Sequence, residues 1–117
     1  MMVTIFRSRL DPDAAAEYAA WATRMSELAQ TMPGYISHKA FVAEDGERVT
    51  LVEFESADTQ RNWKMHPPHV EAQKKGRRDF YLEYKLQICN VERESLFTRP
   101  AAIAPGRTAQ EAIGPAE

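Results

Sequence analysis

The sequence predicts an α+β domain in which helices cover one face of a four-stranded antiparallel sheet. Three observations carry this. Residues 80–93 alternate cleanly between two faces, residues 12–32 repeat apolar side chains every three to four positions, and an Asp-Gly pair separates two strand-like stretches.

Residues 2–9 alternate loosely, with Val3, Ile5 and Arg7 against Thr4, Phe6 and Ser8, as a first strand does. Leu10-Asp11-Pro12-Asp13 then opens a helix. Asp11 is a good N-cap, Pro12 suits the first helical position, and Asp13 complements the helix dipole. Tyr18, Trp21 or Ala22, Met25, Leu28 or Ala29, and Met32 form its apolar stripe, which ends before Pro33-Gly34. Residues 35–43 and 47–55 read as two strands joined through Glu44-Asp45-Gly46-Glu47. A two-residue type I′ turn predicts the register: Ala43 faces Arg48, Val42 faces Val49, Ala40 faces Leu51, and His38 faces Glu53. One extra residue in the turn cancels that pairing.

Ser56 is a candidate N-cap for a second helix, with Asp58 in its first turn. The helix runs through Trp63 and breaks at His66-Pro67-Pro68-His69, because the residue before a proline avoids the helical region. It resumes to Lys75, with Gly76 expected at C′ and Lys74 and Lys75 near the negative end of the dipole. In the last strand Phe80, Leu82, Tyr84, Leu86 and Ile88 share one face. Tyr81, Glu83, Lys85, Gln87, Cys89, Val91 and Arg93 share the other, so Tyr81 and Tyr84 are expected on opposite faces. After Phe97 the composition turns to Ala, Pro, Gly and Thr. The domain is therefore placed at 1–97, with 98–117 an extended or disordered tail.

The order βαββαβ is the split arrangement of ferredoxin-like folds. Both faces of the hairpin are apolar: Tyr35, Phe41, Val52 and Phe54 on one, Ile36, Ala40, Val42, Val49 and Leu51 on the other. A solvated face alternates to polar. A second copy packed sheet to sheet, giving a two-fold homodimer, is the expectation.

The chain has 117 residues, 15 Lys and Arg against 17 Asp and Glu, and a net charge of −2. No polybasic surface results, so nucleic acid and anionic membrane are not expected partners. No apolar run approaches a membrane span, and the N-terminus has no signal-peptide pattern. One cysteine, Cys89, excludes an intrachain disulfide and a cysteine-based zinc site and suits a reduced, cytoplasmic protein.

The segment from Trp63 through His66-Pro67-Pro68-His69, Ala72-Gln73 and Gly76-Arg77 to Phe80-Tyr81 resembles the antibiotic biosynthesis monooxygenase (ABM) superfamily, in particular its haem-degrading-monooxygenase-like branch. Residues 5–9, Met32-Pro33-Gly34-Tyr35 and Phe54-Glu55-Ser56 support it, and the resemblance covers residues 2–97. It implies a dimeric α+β barrel with a pocket in each subunit between the sheet and the second helix. The implied chemistry is oxygenation of an aromatic substrate by O2, often without metal or flavin. One fold hosts many functions.

Several side chains are candidates for such a site. Trp63 offers an indole for stacking on a planar substrate, or else fills the core. His66 and His69 have the right type of group to take a proton from a phenol, or else they shape the helix break. Two prolines spoil their spacing as metal ligands, and no third ligand is evident, so no metal site is expected. His38 with Glu53 is a second acid–base candidate, or a structural pair at a dimer interface. Arg7, Arg77, Tyr81 and Tyr84 are of the type that steadies an oxyanion. Tyr84 is the preferred tyrosine, on the apolar face, while Arg77 in a run of cations reads as solvated. Phe54 joins Trp63, Arg7, His38 and Glu53 as a substrate-binding candidate. Cys89 reads as an inert packing residue.

Against the haem-degrading pattern, the first strand carries Phe6-Arg7 in place of asparagine, and the ligand region carries Ala72 and Gln73 in place of histidine. The favoured reading is therefore a cofactor-independent monooxygenase of an aromatic or polycyclic phenol. Haem as substrate and a non-catalytic dimer that sequesters a small molecule are the alternatives.

Overall fold

The structure, a computed structural model, describes residues 1–100. Strand β1 (Met2–Leu10) leads through a 3-10 turn (Pro12–Ala14) into helix α1 (Ala15–Ala29). The hairpin β2 (Tyr35–Val42) and β3 (Arg48–Phe54) follows. Helices α2 (Ala57–Met65) and α3 (Pro67–Lys75), a π-helical turn (Gly76–Phe80) and β4 (Tyr81–Asn90) complete the domain. The sheet order is β2-β3-β1-β4 and every pairing is antiparallel. This is the α+β, ferredoxin-like fold expected from the sequence.

Local chemistry explains the boundaries. The Asp11 carboxylate accepts the Asp13 N–H at 3.0 Å, and the Asp11 N–H donates to the Phe80 carbonyl at 2.7 Å. That second bond ties the start of the first helical segment to the π turn. Ser56 and Thr59 form a reciprocal capping box at the start of α2. His66 is extended (φ −61°, ψ 125°), and Pro67 and Pro68 fill the first helical positions of α3, where their missing N–H groups cost nothing. Phe54, Trp63, Ala29 and Phe80 are the buried apolar side chains, with Met25, Leu28, Met32, Tyr35 and Val52 packed around the first three.

The hairpin departs from the expected register by one residue. His38 lies opposite Val52, and Ser37 lies opposite Glu53, to whose carboxylate the Ser37 hydroxyl donates. The cause is the turn. The Gly46 N–H donates to Ala43 O at 2.9 Å and the Ala43 N–H donates to Glu47 O at 2.8 Å, so three residues, not two, form the loop. Gly46 sits at φ +89°, which a side-chain-bearing residue resists. The expected His38–Glu53 pair is therefore replaced, and the two residues lie on opposite sheet faces. The apolar sets re-sort as well. Ala40, Val42, Val52 and Phe54 face the helices, whereas Phe41, Val49 and Leu51 face away with Val3 and Ile5.

Further expectations change in β4, at Gly76 and at the end of α1. β4 begins at Tyr81 and stops at Asn90, shorter than the expected 80–93, and Phe80 belongs to the π turn. A register shift where β1 pairs with β4, between Arg9 and Leu10, sets Leu10 opposite Tyr81 and Arg9 opposite Glu83. Leu82 is the extra residue, so Tyr81 and Tyr84 fall on the same face rather than opposite ones. Gly76 is not a left-handed cap, since its φ is −58° and the chain continues into the π turn. Its lack of a side chain serves packing instead, because a Cβ there would stand 2.5 Å from Cε2 of Tyr81. α1 ends at Ala29, before the expected Met32. The expected tail at 98–117 lies, from residue 101 onward, outside the described residues.

Candidate active site

The helices do not lie flat on the sheet. Between α1 on one side, α2 and α3 on the other, and the sheet beneath, a cleft of about 460 Å³ opens. The sheet contributes Thr4, Phe6, His38, Thr50, Val52, Tyr81, Tyr84 and Leu86. α1 contributes Tyr18, Trp21, Met25 and Ser26. The opposite wall is Trp63, Lys64, His69, Ala72, Gln73 and Arg77. Both tryptophans of the chain thus line one cavity, whose aromatic surface suits a planar guest.

The helix break places His69 flat against Trp63, with ring centroids 4.0 Å apart and planes within 11°. Nδ1 of His69 donates to the Trp63 carbonyl at 3.0 Å. That bond fixes the tautomer and leaves Nε2 with its lone pair, without a partner among the described residues. Gln73 stands beside it and donates its amide N–H to Lys64 O at 2.9 Å. Burial is the main cause that holds His69 below its ordinary pKa, and the nearby His66 adds to it. The bond to Trp63 O works in the opposite direction. The result is a neutral imidazole with one free basic nitrogen on the cleft wall.

His38 is the second imidazole of the cleft, and its environment differs. The Ser26 hydroxyl lies 2.7 Å from Nε2 and the Tyr35 hydroxyl 2.6 Å from Nδ1. A neutral imidazole has one N–H and one lone pair, so one hydroxyl accepts while the other donates. This hydroxyl–imidazole–hydroxyl chain joins α1 to β2 and is the partner set that sequence reasoning missed. Its only signal in the sequence was a helical serine, and that means nothing until helix and hairpin are docked.

At the end of the cleft near the π turn, Tyr18, Tyr81, Tyr84 and Phe6 pack edge to face or tilted, with centroids 5.2 to 5.9 Å apart. Burial, reinforced by Tyr18, raises the Tyr81 pKa, while Arg48 opposes it. Tyr81 therefore remains a protonated donor across the physiological range. The Arg48 guanidinium lies over the Tyr18 ring at 5.4 Å, with Nε buried and without a hydrogen-bond partner among the described residues.

Of the residues singled out from the sequence, Trp63, His69, His38, Tyr84, Tyr81 and Arg77 line this one cleft. His66 does not; its ring lies 6.2 Å from Trp63 at the helix junction. Phe54 is fully buried beneath the surface, so it shapes the floor without touching a guest. Arg7 and Glu53 are on the far face. There Arg7 is engaged bidentately by Glu47, at 2.9 and 3.1 Å. Among the described residues no cluster of three or more His, Cys, Asp or Glu side chains is arranged to hold a metal ion, and no helix is long and apolar enough to cross a membrane.

A family model described as antibiotic biosynthesis monooxygenase matches residues 1–75. The uncharacterized protein YqjZ of Bacillus subtilis (strain 168) is 32% identical over 80 residues, spanning 68% of this chain and 70% of that protein. Among solved structures, a putative antibiotic biosynthesis monooxygenase from Deinococcus radiodurans superposes with a TM-score of 0.74 at 8% identity, covering 84% of this chain and 99% of that one. SnoaB, a cofactor-independent oxygenase from Streptomyces nogalater, superposes with a TM-score of 0.67 at 15% identity, covering 80% and 94%. At these identities the structural matches speak for the fold.

Proposed function

The chain belongs to the antibiotic biosynthesis monooxygenase family, and on that premise we propose that it oxygenates a small aromatic molecule of phenolic or quinol type with O2, without a bound cofactor. The observation that carries this reading is His69 stacked on Trp63, its Nδ1 bound to the Trp63 carbonyl and its Nε2 left free, on the wall of an aromatic cleft.

The substrate stacks among Trp63, Tyr81 and Tyr84. Nε2 of His69 takes the phenol proton, and the O–H groups of Tyr81 and Tyr84 steady the phenolate. The phenolate gives one electron to O2, and the two radicals join as a ring C–O–O bond. The imidazolium returns its proton to the distal oxygen. Loss of the ring C–H proton and cleavage of O–O then leave a C=O and one water. The sum, phenol plus O2 to quinone plus water, balances without an external reductant. Haem breakdown needs such a reductant and an iron ligand. Ala72 and Gln73 line the cleft where the resemblance would look for that ligand.

An oxygen electrode tests the proposal. Purified protein with a panel of polycyclic phenols and no added cofactor is expected to consume one O2 per quinone formed. Saturable binding with no O2 uptake across the panel would favour a sequestering protein. A stoichiometric haem absorbance band that bleaches with ascorbate in air would favour haem as substrate.

The homodimer and a cytoplasmic setting belong to the same proposal. Phe41, with 47% of its surface exposed, Val49 and Leu51 share the far face with Val3 and Ile5, and a second copy would cover them. Light scattering is expected to report a dimer, and Leu51→Lys a monomer. A wild-type monomer at micromolar concentration would remove this part of the proposal.

A further inference from the structure

Acidic residues outnumber basic ones in this chain, 17 to 15. The cleft does not share that balance. Among the described residues no Asp or Glu lines it, whereas Lys64 and Arg77 both do. Among the described residues three of their cationic sequence neighbours are paired, and Lys74 is not. Arg61 pairs with Asp58 at 3.4 Å, Lys75 with Glu17 at 2.5 Å and Asp79 at 3.0 Å, and Arg78 with Asp79 at 3.1 Å. Lys64 and Arg77 pair with no carboxylate among the described residues. Behind the tyrosine end, Arg48 also lacks a carboxylate partner there, and its Nε has no hydrogen bond. Unneutralised cations on the walls of an apolar cavity focus a positive potential into it. An anion held against that wall would meet both charges.

Resting on the cleft as the substrate site, we infer that the aromatic substrate carries an anionic substituent, a carboxylate, which Lys64 and Arg77 receive at the cleft wall. The phenol end then points to His69 and the tyrosines. A carboxylate suits these two side chains: lysine supplies a point charge, and arginine supplies a planar fork that matches carboxylate geometry. The pair selects the substrate and sets its orientation, while His69 acts on it.

The test compares 6-hydroxy-2-naphthoate with 2-naphthol, one ring system with and without a carboxylate at the end remote from the phenol, by titration calorimetry on the full chain. The naphthoate is expected to bind about tenfold more tightly, and added salt to shrink the difference. In the double variant Lys64→Ala, Arg77→Ala the two ligands are expected to bind equally. Both side chains are exposed, so the fold survives their removal. Equal affinity in the wild type, or a preference that survives the double variant, overturns the inference and leaves the oxygenase proposal standing. A carboxylate preference abolished by the double variant, in a protein that consumes no O2 with any phenol, upholds the anion subsite and removes the oxygenase.

Discussion

On the far face of the sheet, Arg7 is gripped by Glu47, and Arg9 meets Asp45 at 2.7 Å and Glu83 at 3.3 Å. On the helix-covered face, among the described residues, Lys64 and Arg77 have no counter-ion and His69 keeps one nitrogen free. The far-face pairs sit where the hairpin turn returns beside β1 and link the turn to the sheet. Partnered charges of this kind describe assembly. Unpartnered polar groups around a cavity describe something still to be bound. The two imidazoles repeat the lesson on a smaller scale. Both nitrogens of His38 are engaged, so it holds α1 to β2, whereas His69 has one nitrogen to spare.

Substitutions at the cleft should have the largest effects. Trp63→Ala removes a side chain only 7% exposed together with the surface on which His69 stacks, and should cost about 3–5 kcal/mol in denaturant unfolding. Gly76→Ala places a methyl group against the Tyr81 ring and should cost about 1–3 kcal/mol while disturbing the tyrosine end of the cleft. Acid comes next. Burial depresses the His69 pKa from 6.5, so below that value the unfolded chain binds a proton that the native one refuses. The stability from this site is complete above about pH 6.5 and is lost as pH falls through the native value. Melting temperatures of wild type and His69→Asn should therefore diverge in slope below that pH, with the variant flatter. Arg7→Ala gives the smallest effect, since its pair with Glu47 is solvent-exposed. Rate and affinity at the cleft should stay at wild-type values. A lost rate would mean that the far face reaches the chemistry.

Much of this was legible in the residues. The Asp11 and Ser56 caps, the helix break at Pro67 and Pro68, and the order βαββαβ are local properties, and the fold follows from them. Trp63 and His69 were visible as candidates because indole and imidazole have few roles. What escaped was pairing. Asp45-Gly46 suits loops of either two or three residues, and the choice moves His38 from Glu53 to Val52. The irregularity beside Arg9 and Leu10 exists only when β1 meets β4, and it carries Tyr81 to the side of Tyr84. Ser26 and Tyr35 became meaningful only after that register and the docking of α1 placed them on either side of one imidazole.

The proposed chemistry stands on His69 as the base. The most direct measurement is O2 uptake by His69→Asn with the best phenol of the panel. The asparagine amide can still donate to the Trp63 carbonyl, so the wall stays built while the basic nitrogen is gone. Turnover should fall about 10²- to 10⁴-fold with ligand affinity and melting temperature at pH 7.5 near wild type. Undiminished turnover would contradict the account.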